Sequence, residues 1–167
     1  MLLYEDILTG DEMFSDAFPV KVVDDIVYEV DCASIIIKEG QVDIGANPST
    51  EEAEETLEEG SKTVNNVVHS FRLQATTFDK KSYLGHLKLY MKGIKTKLET
   101  SNPSRVEAFE KGAQAYAKKV VANLKDFEFY TGEGMNPDGM VALLNYREDG
   151  ITPYFTFWKD GVKEIKL

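Results

Sequence analysis

The chain has 167 residues, 43% of them hydrophobic, enough to bury one core without help from metals or disulfides. Its formal charge is −10, and Cys32 is its single cysteine, so an intrachain disulfide is excluded and a reducing compartment is expected. The first residues, "MLLYEDILTGDEMFSD", lack a basic segment ahead of an apolar run, and no stretch reaches the length of a membrane span. The expectation is a soluble cytoplasmic protein.

In chain order, the first seventy or so residues read as short strands separated by turns. "IVYEV" (26–30) alternates apolar and polar residues, and "ASIIIK" (33–38) is rich in β-branched ones. Residues 39–62 combine turn residues, acids and few large apolar groups, and are expected to form a mobile acidic loop. Within it, "NPSTEEAEETLEEG" (47–60) carries six glutamates and no base. Ser49 followed by Glu52 is a capping-box pattern. Yet only Ala53 and Leu57 offer apolar contacts at helical spacing, too little to offset helix nucleation. "VVHSFRL" (67–73) then reads as a returning strand.

From 79 to 99 the period changes. Leu84, Leu87, Met91, Ile94 and Leu98 form one helical stripe. Asn102 and Pro103 punctuate, as cap and first helical residue. Val106, Phe109, Ala113, Tyr116, Val120 and Leu124 form a second stripe. Two helices with a short connection predict an antiparallel hairpin over 79–124. Beyond 126, "FEFYTG", "MVALLNY", "ITPYFTFW" and "VKEIKL" read as strands, with Asp149-Gly150 and Asp160-Gly161 as hairpin turns making the last three a meander. The fold class is α+β: antiparallel strands on both sides of an inserted helical hairpin.

Charge is unevenly distributed. Residues 1–31 hold nine acids against Lys21, whereas residues 78–125 hold eleven bases against four acids. An acidic body with a basic arm points to charged protein partners. DNA is disfavoured, because the acidic body and loop repel phosphates.

Chemistry-bearing motifs are few. No P-loop and no strand–G-x-G-x-x-G–helix unit occurs. One cysteine and two histidines, His69 in the expected strand and His86 beside the first stripe, cannot build a structural zinc site. Nothing next to Cys32 activates its thiol, so a thiol enzyme is disfavoured and no catalytic residue is assigned. The acidic loop offers oxygen ligands without EF-hand spacing, which allows weak calcium binding at most; no metal residues are assigned and no cofactor is required.

"DEMFSD" (11–16), "IGANPSTEE" (44–52), "TTFDKKSYLGHLKLYMKGIKTKLE" (76–99) and above all "GEGMNPDGMVALLNYREDGITPYFTFWKDG" (132–161) resemble the translationally controlled tumour protein family, over nearly the whole chain. The length suits a fungal member. The resemblance implies a single domain with a β-tent core (1–38, 64–75 and 126–167), an acidic mobile loop (39–62) and a helical hairpin (79–124). The fold family also includes zinc-carrying chaperones of nucleotide-free Rab-type GTPases and methionine-sulfoxide reductases; this chain lacks the zinc ligands of the first and the thiols of the second.

Further implied are a non-enzymatic interaction role in translation (elongation factor and ribosome), binding to tubulin and microtubules, calcium binding, and contact with Rheb-type small GTPases. The acidic residue of the elongation-factor and GTPase face matches Glu12, with Asp11 beside it. The tubulin-linked region corresponds to the hairpin, where Lys88, Lys92, Lys95, Lys118 and Lys119 are the candidates. The expected state is a monomer, cytoplasmic and partly microtubule-associated. The alternative is a regulator or nucleotide-free chaperone of a small GTPase.

Overall fold

The computed structural model describes residues 1–38 and 61–167. The acidic segment 39–60, with the expectations of mobility and calcium binding placed on it, lies outside the described residues. The strands are β1 (Leu2–Asp6), β2 (Glu12–Ser15), β3 (Val20–Val23), β4 (Val27–Asp31), β5 (Ser34–Lys38), β6 (Ser61–Asn65), β7 (Gln74–Thr76), β8 (Glu128–Thr131), β9 (Ala142–Tyr146), β10 (Pro153–Trp158) and β11 (Val162–Lys166). The helices among the described residues are α1 (Asn66–Phe71), α2 (Lys80–Ser101) and α3 (Val106–Ala122). Ser61 and Lys62, placed in the loop by sequence, belong to β6.

All pairings are antiparallel. One sheet runs β11-β1-β2, a second β3-β4-β10-β9-β8-β7, and β5-β6 forms a separate ribbon. The two larger sheets meet through stacked aromatic rings. Phe14 of β2 lies 4.3 Å from Tyr4 of β1 and 4.4 Å from Phe157 of β10. Phe14 and Phe157 are fully buried, so this stack is the centre of the core.

Two local expectations are corrected. "VVHSFRL" is not a strand: residues 66–71 form α1, which also places His69 on a helix. The Asn65 side chain accepts from the amides of Val67 and Val68, and Arg72 closes the helix in a left-handed conformation at φ 54°. A strong cap at each end overrides the β-branched valines. "VKEIKL" does not complete a meander either. After β10 the chain makes a 3-10 turn, Lys159–Gly161, and β11 crosses to pair with β1, Leu3 opposite Ile165. The Asp149-Gly150 turn does join β9 to β10 as a hairpin.

The helical hairpin forms as expected, with its buried face rotated. Asp79 and Ser82 make a reciprocal capping box at the start of α2. The buried residues of α2 are Tyr83, Leu87, Tyr90, Ile94 and Leu98; Leu84 is 43% exposed. Phe109, Ala113 and Val120 bury the matching side of α3. Between the helices, Pro103–Arg105 is a 3-10 turn that Asn102 precedes without capping it by its side chain.

A turn of unusual backbone holds α3 to the body. Asp24 and Asp25, between β3 and β4, both adopt left-handed φ, 55° and 56°. Such consecutive values favour Asn-Gly, so two aspartates need a compensating reason. Arg105 supplies it. Its Nη1 donates to Asp25 Oδ2 at 2.8 Å, and its Nε and Nη2 donate to Asp160 at 3.0 and 2.8 Å. Lys159 adds a 2.8 Å contact to Asp25, and these two cations hold the Asp25 carboxyl below its usual range, Lys159 most. The neighbouring Ile26 fills the notch at Gly112 of α3, where a Cβ would lie 2.3 Å from its Cδ1.

Candidate functional site

Two surfaces of opposite charge carry the residues singled out by sequence. The first is a polar cleft of about 420 Å³ at the β1–β2 turn. Gly10 takes φ 80°, and the turn is closed by the Asp6 amide, which donates to the Asp11 carbonyl, and the Asp6 carbonyl, which accepts from the Gly10 amide. Asp11, half-buried, lies against Gly132, where any Cβ would stand 2.6 Å from its own. Its Oδ2 accepts from the Gly134 amide at 3.3 Å. The "GEG" glycines of the sequence are therefore the seat of Asp11.

Glu12 is exposed and has no ion pair or side-chain hydrogen bond among the described residues. In the sheet register it stands opposite Glu5, an unfavourable cross-strand pair of like charges. Glu133 joins the same cleft and accepts from Arg72 Nη1 at 3.2 Å. Glu5, Arg72 and Glu133 were not distinguishable by sequence, since only the register and the α1 cap bring them to the cleft.

The second surface is the hairpin, and the structure divides its five candidate lysines. Lys88, Lys92 and Lys95 line one rim of a furrow between α2 and α3. Lys95 is tied to Glu110 across the furrow at 2.7 Å, which raises its pKa, while Lys88 and Lys92 have no partner among the described residues. Lys118 and Lys119 lie outside this furrow, and Lys119 reaches back to Asp24 at 3.6 Å. Glu110 carried no signal by itself; its role appears only when the helices are packed.

Cys32 is buried, accepts from Asn65 Nδ2 at 3.0 Å and contacts the Pro153 carbonyl at 3.3 Å. Burial pushes its thiol up, away from the reactive thiolate. Among the described residues, no group of three His, Cys, Asp or Glu side chains could hold a metal ion. No helix among them is long and apolar enough to cross a membrane.

Antiparallel sheets packed through an aromatic stack, with an inserted helical hairpin, define an α+β architecture that carries two exposed surfaces of opposite charge. Comparison with known proteins gives the family. The family model described as translationally controlled tumour protein matches residues 1–163. A Yarrowia lipolytica homologue of that protein is 67% identical over 167 residues, covering all of both chains, and a Saccharomyces cerevisiae homologue is 56% identical over the same span. The solved structure of translationally controlled tumour-associated protein p23fyp from Schizosaccharomyces pombe superposes with a TM-score of 0.84 at 60% identity, covering all of both chains. The corresponding protein of Caenorhabditis elegans, 33% identical, gives 0.74 over all of this chain and 99% of that one. The chain belongs to the translationally controlled tumour protein family.

Proposed function

We propose that this chain is a non-enzymatic interaction protein that uses its two charged surfaces for different partners. The acidic cleft takes a basic patch on an elongation factor or small GTPase, with Glu12 as the free charge. The hairpin takes acidic protein surfaces, of which tubulin tails are the leading candidate. The observation that carries this reading is unspent charge. Glu12 stands opposite Glu5 with no cation, and Lys88 and Lys92 stand without an anion, although neighbouring charges are paired. Local arrangements that cost stability without an internal return accompany functional surfaces. The buried, unactivated Cys32 supports a role without catalysis. The same proposal places the protein in the cytoplasm, as a monomer without cofactor or zinc, associated in part with microtubules and ribosomes, and leaves weak calcium binding to residues 39–60.

The test separates the two surfaces. Lys88→Glu with Lys92→Glu should abolish co-sedimentation with microtubules and leave elongation-factor binding intact. Glu12→Ala should do the reverse. Wild-type co-sedimentation should also fall as salt shortens the Debye length from about 10 Å at 0.1 M toward about 3 Å at 1 M. Binding that survives both the lysine exchange and high salt would remove the hairpin from the reading.

A second reading, regulation of a small GTPase, rests on the same unpaired Glu12. It requires that labelled GDP leave the GTPase faster when the protein is added, and that Glu12→Ala remove the acceleration. A constant release rate would leave a binding role alone.

A further inference from the structure

We infer that the furrow between α2 and α3 docks an acidic amphipathic helix of a protein partner. The inference rests on the hairpin as an acid-binding surface and adds that the bound element is helical, with an apolar face of its own.

The furrow has a volume of about 610 Å³ and runs between the helices on their outer side. Its cause is side-chain size. Ala113 and Ala117, one turn apart on α3, face Leu84, Leu87 and Met91 of α2 across a gap they are too small to fill. Leu87, Phe109 and Ala113 form a buried floor, and Leu84 stands at the margin 43% exposed. An apolar channel of this kind suits the greasy stripe of a third helix, as in helix-in-groove recognition.

Charge selects the occupant. Lys88, Lys92 and Lys95 follow one another at i, i+4 and i+7 on the α2 rim, a row about 10 Å long at 1.5 Å per residue. The α3 rim offers Glu110 and Gln114 instead. Lys95 is already paired with Glu110, which leaves Lys88 and Lys92 as the open cations. A helix with its acids along one margin of its apolar stripe places those acids over α2 and its neutral margin over α3. An unstructured acidic tail would meet the lysines and leave the floor uncovered. A second copy of this chain is disfavoured, because each copy carries a net charge of −10.

The test uses the full chain and two labelled peptides of about 18 residues, long enough to form helix. They share one composition. In the first, leucines recur at i, i+3, i+4 and i+7 beside a row of glutamates; in the second the order is scrambled. Fluorescence anisotropy at low salt should show the patterned peptide binding at least about tenfold more tightly. Ala117→Leu, which fills the furrow, and Leu84→Ser, which strips its exposed margin, should each remove that preference. Lys88→Glu with Lys92→Glu should weaken both peptides. Circular dichroism of each variant establishes that the helices persist. Equal binding of the two peptides, sensitive to the lysines alone, would overturn the furrow while leaving acid recognition by the hairpin in place. Failure of both peptides to bind a protein that still co-sediments with microtubules through its lysines would overturn it in the same way. Loss of the lysine-dependent co-sedimentation too would overturn both readings. A dimer in sedimentation equilibrium that Leu84→Ser dissociates would give the furrow to a second copy, and the inference would fall.

Discussion

The acidic cleft and the basic hairpin divide their charges by the same rule. In the cleft, Asp11 is committed to the protein's own backbone at Gly134, whereas the next residue, Glu12, is left to solvent. On the hairpin, Lys95 is committed to Glu110, whereas Lys88 and Lys92 are open. The surfaces differ in how they are mounted. The cleft is built on β1 and β2, whose Tyr4 and Phe14 enter the central aromatic stack. The hairpin combines an apolar face with an ionic clamp, Arg105 on Asp25 and Asp160. Charge density in the sequence therefore locates a surface, but only pairing and mounting show which charges a partner can use.

The largest effect should come from breaking the mounting on one side only. In Arg105→Ala, Asp160 keeps a side chain just 9% exposed and loses its cation. Loss of one member of such a partly buried pair should cost about 2–3 kcal/mol in denaturant unfolding, below the full buried-pair value because Asp25 is largely solvated. Amide exchange should accelerate in α3 before it does in β1 and β2. Equal acceleration in both regions would mean that the clamp does not distinguish them.

The neighbours Asp11 and Glu12 offer a sharper contrast. Asp11→Ala removes a hydrogen bond and the side chain packed on Gly132, and should lower stability by about 1 kcal/mol. Glu12→Ala should leave the melting temperature unchanged or slightly raised, since it relieves repulsion with Glu5. Two substitutions with the same thermal effect would erase the distinction between the committed and the free acid.

Acid should reach the hairpin first through His86 and only later through the Asp25 clamp. His86 of α2 packs between Phe78 and Tyr90, with ring centroids 5.5 and 5.8 Å away, and burial lowers its pKa below the ordinary 6.5, against opposing contributions from the Pro137 carbonyl and Asp138. Between the lowered folded value and 6.5 the unfolded chain binds more protons, so stability falls as pH falls through that window and is complete above it. The melting temperature should decline from pH 7 toward pH 5, and the decline should shrink in His86→Phe. An unchanged slope would clear His86. The loss from Asp25, whose carboxyl is held below 3.8, begins only in stronger acid.

The smallest effect belongs to Lys95. Its pair with Glu110 is solvated on both sides, with side chains 46% and 43% exposed. Lys95→Ala should leave the melting temperature nearly unchanged, because solvent screens the pair. In peptide or microtubule binding it should matter less than Lys88→Ala, because Lys95 is already engaged.

Periodicity made much of this legible. The hairpin is visible because apolar residues recur at helical spacing, and the buried face of α3 matches its stripe at Phe109, Ala113 and Val120. On α2 the buried face is rotated away from the leucine stripe because two tyrosines belong to the core. Tyr83 and Tyr90 are buried, while Leu84 is at the margin. Residues 66–71 carry strand-favouring valines, but capping by Asn65, which accepts from two amides, outweighs that propensity. The course of β11 was hidden for another reason: its partner is β1, at the opposite end of the chain, and no local turn encodes that pairing. The same holds for both surfaces. Glu12 and the lysines could be named from sequence, but the Asp11 seat, the Glu5 neighbour and the Lys95–Glu110 pair exist only after distant segments meet.

Trp158, the chain's single tryptophan, ends β10 beside the turn that carries Asp160. It is 2% exposed, and its ring meets Tyr116 of α3 edge-on at 5.7 Å. The protein thus contains its own optical gauge of hairpin attachment. A shift of indole emission to longer wavelength, with far-ultraviolet ellipticity preserved, would register α3 lifting from the sheet while its helix stays intact. Stopped-flow mixing could time that event without a label.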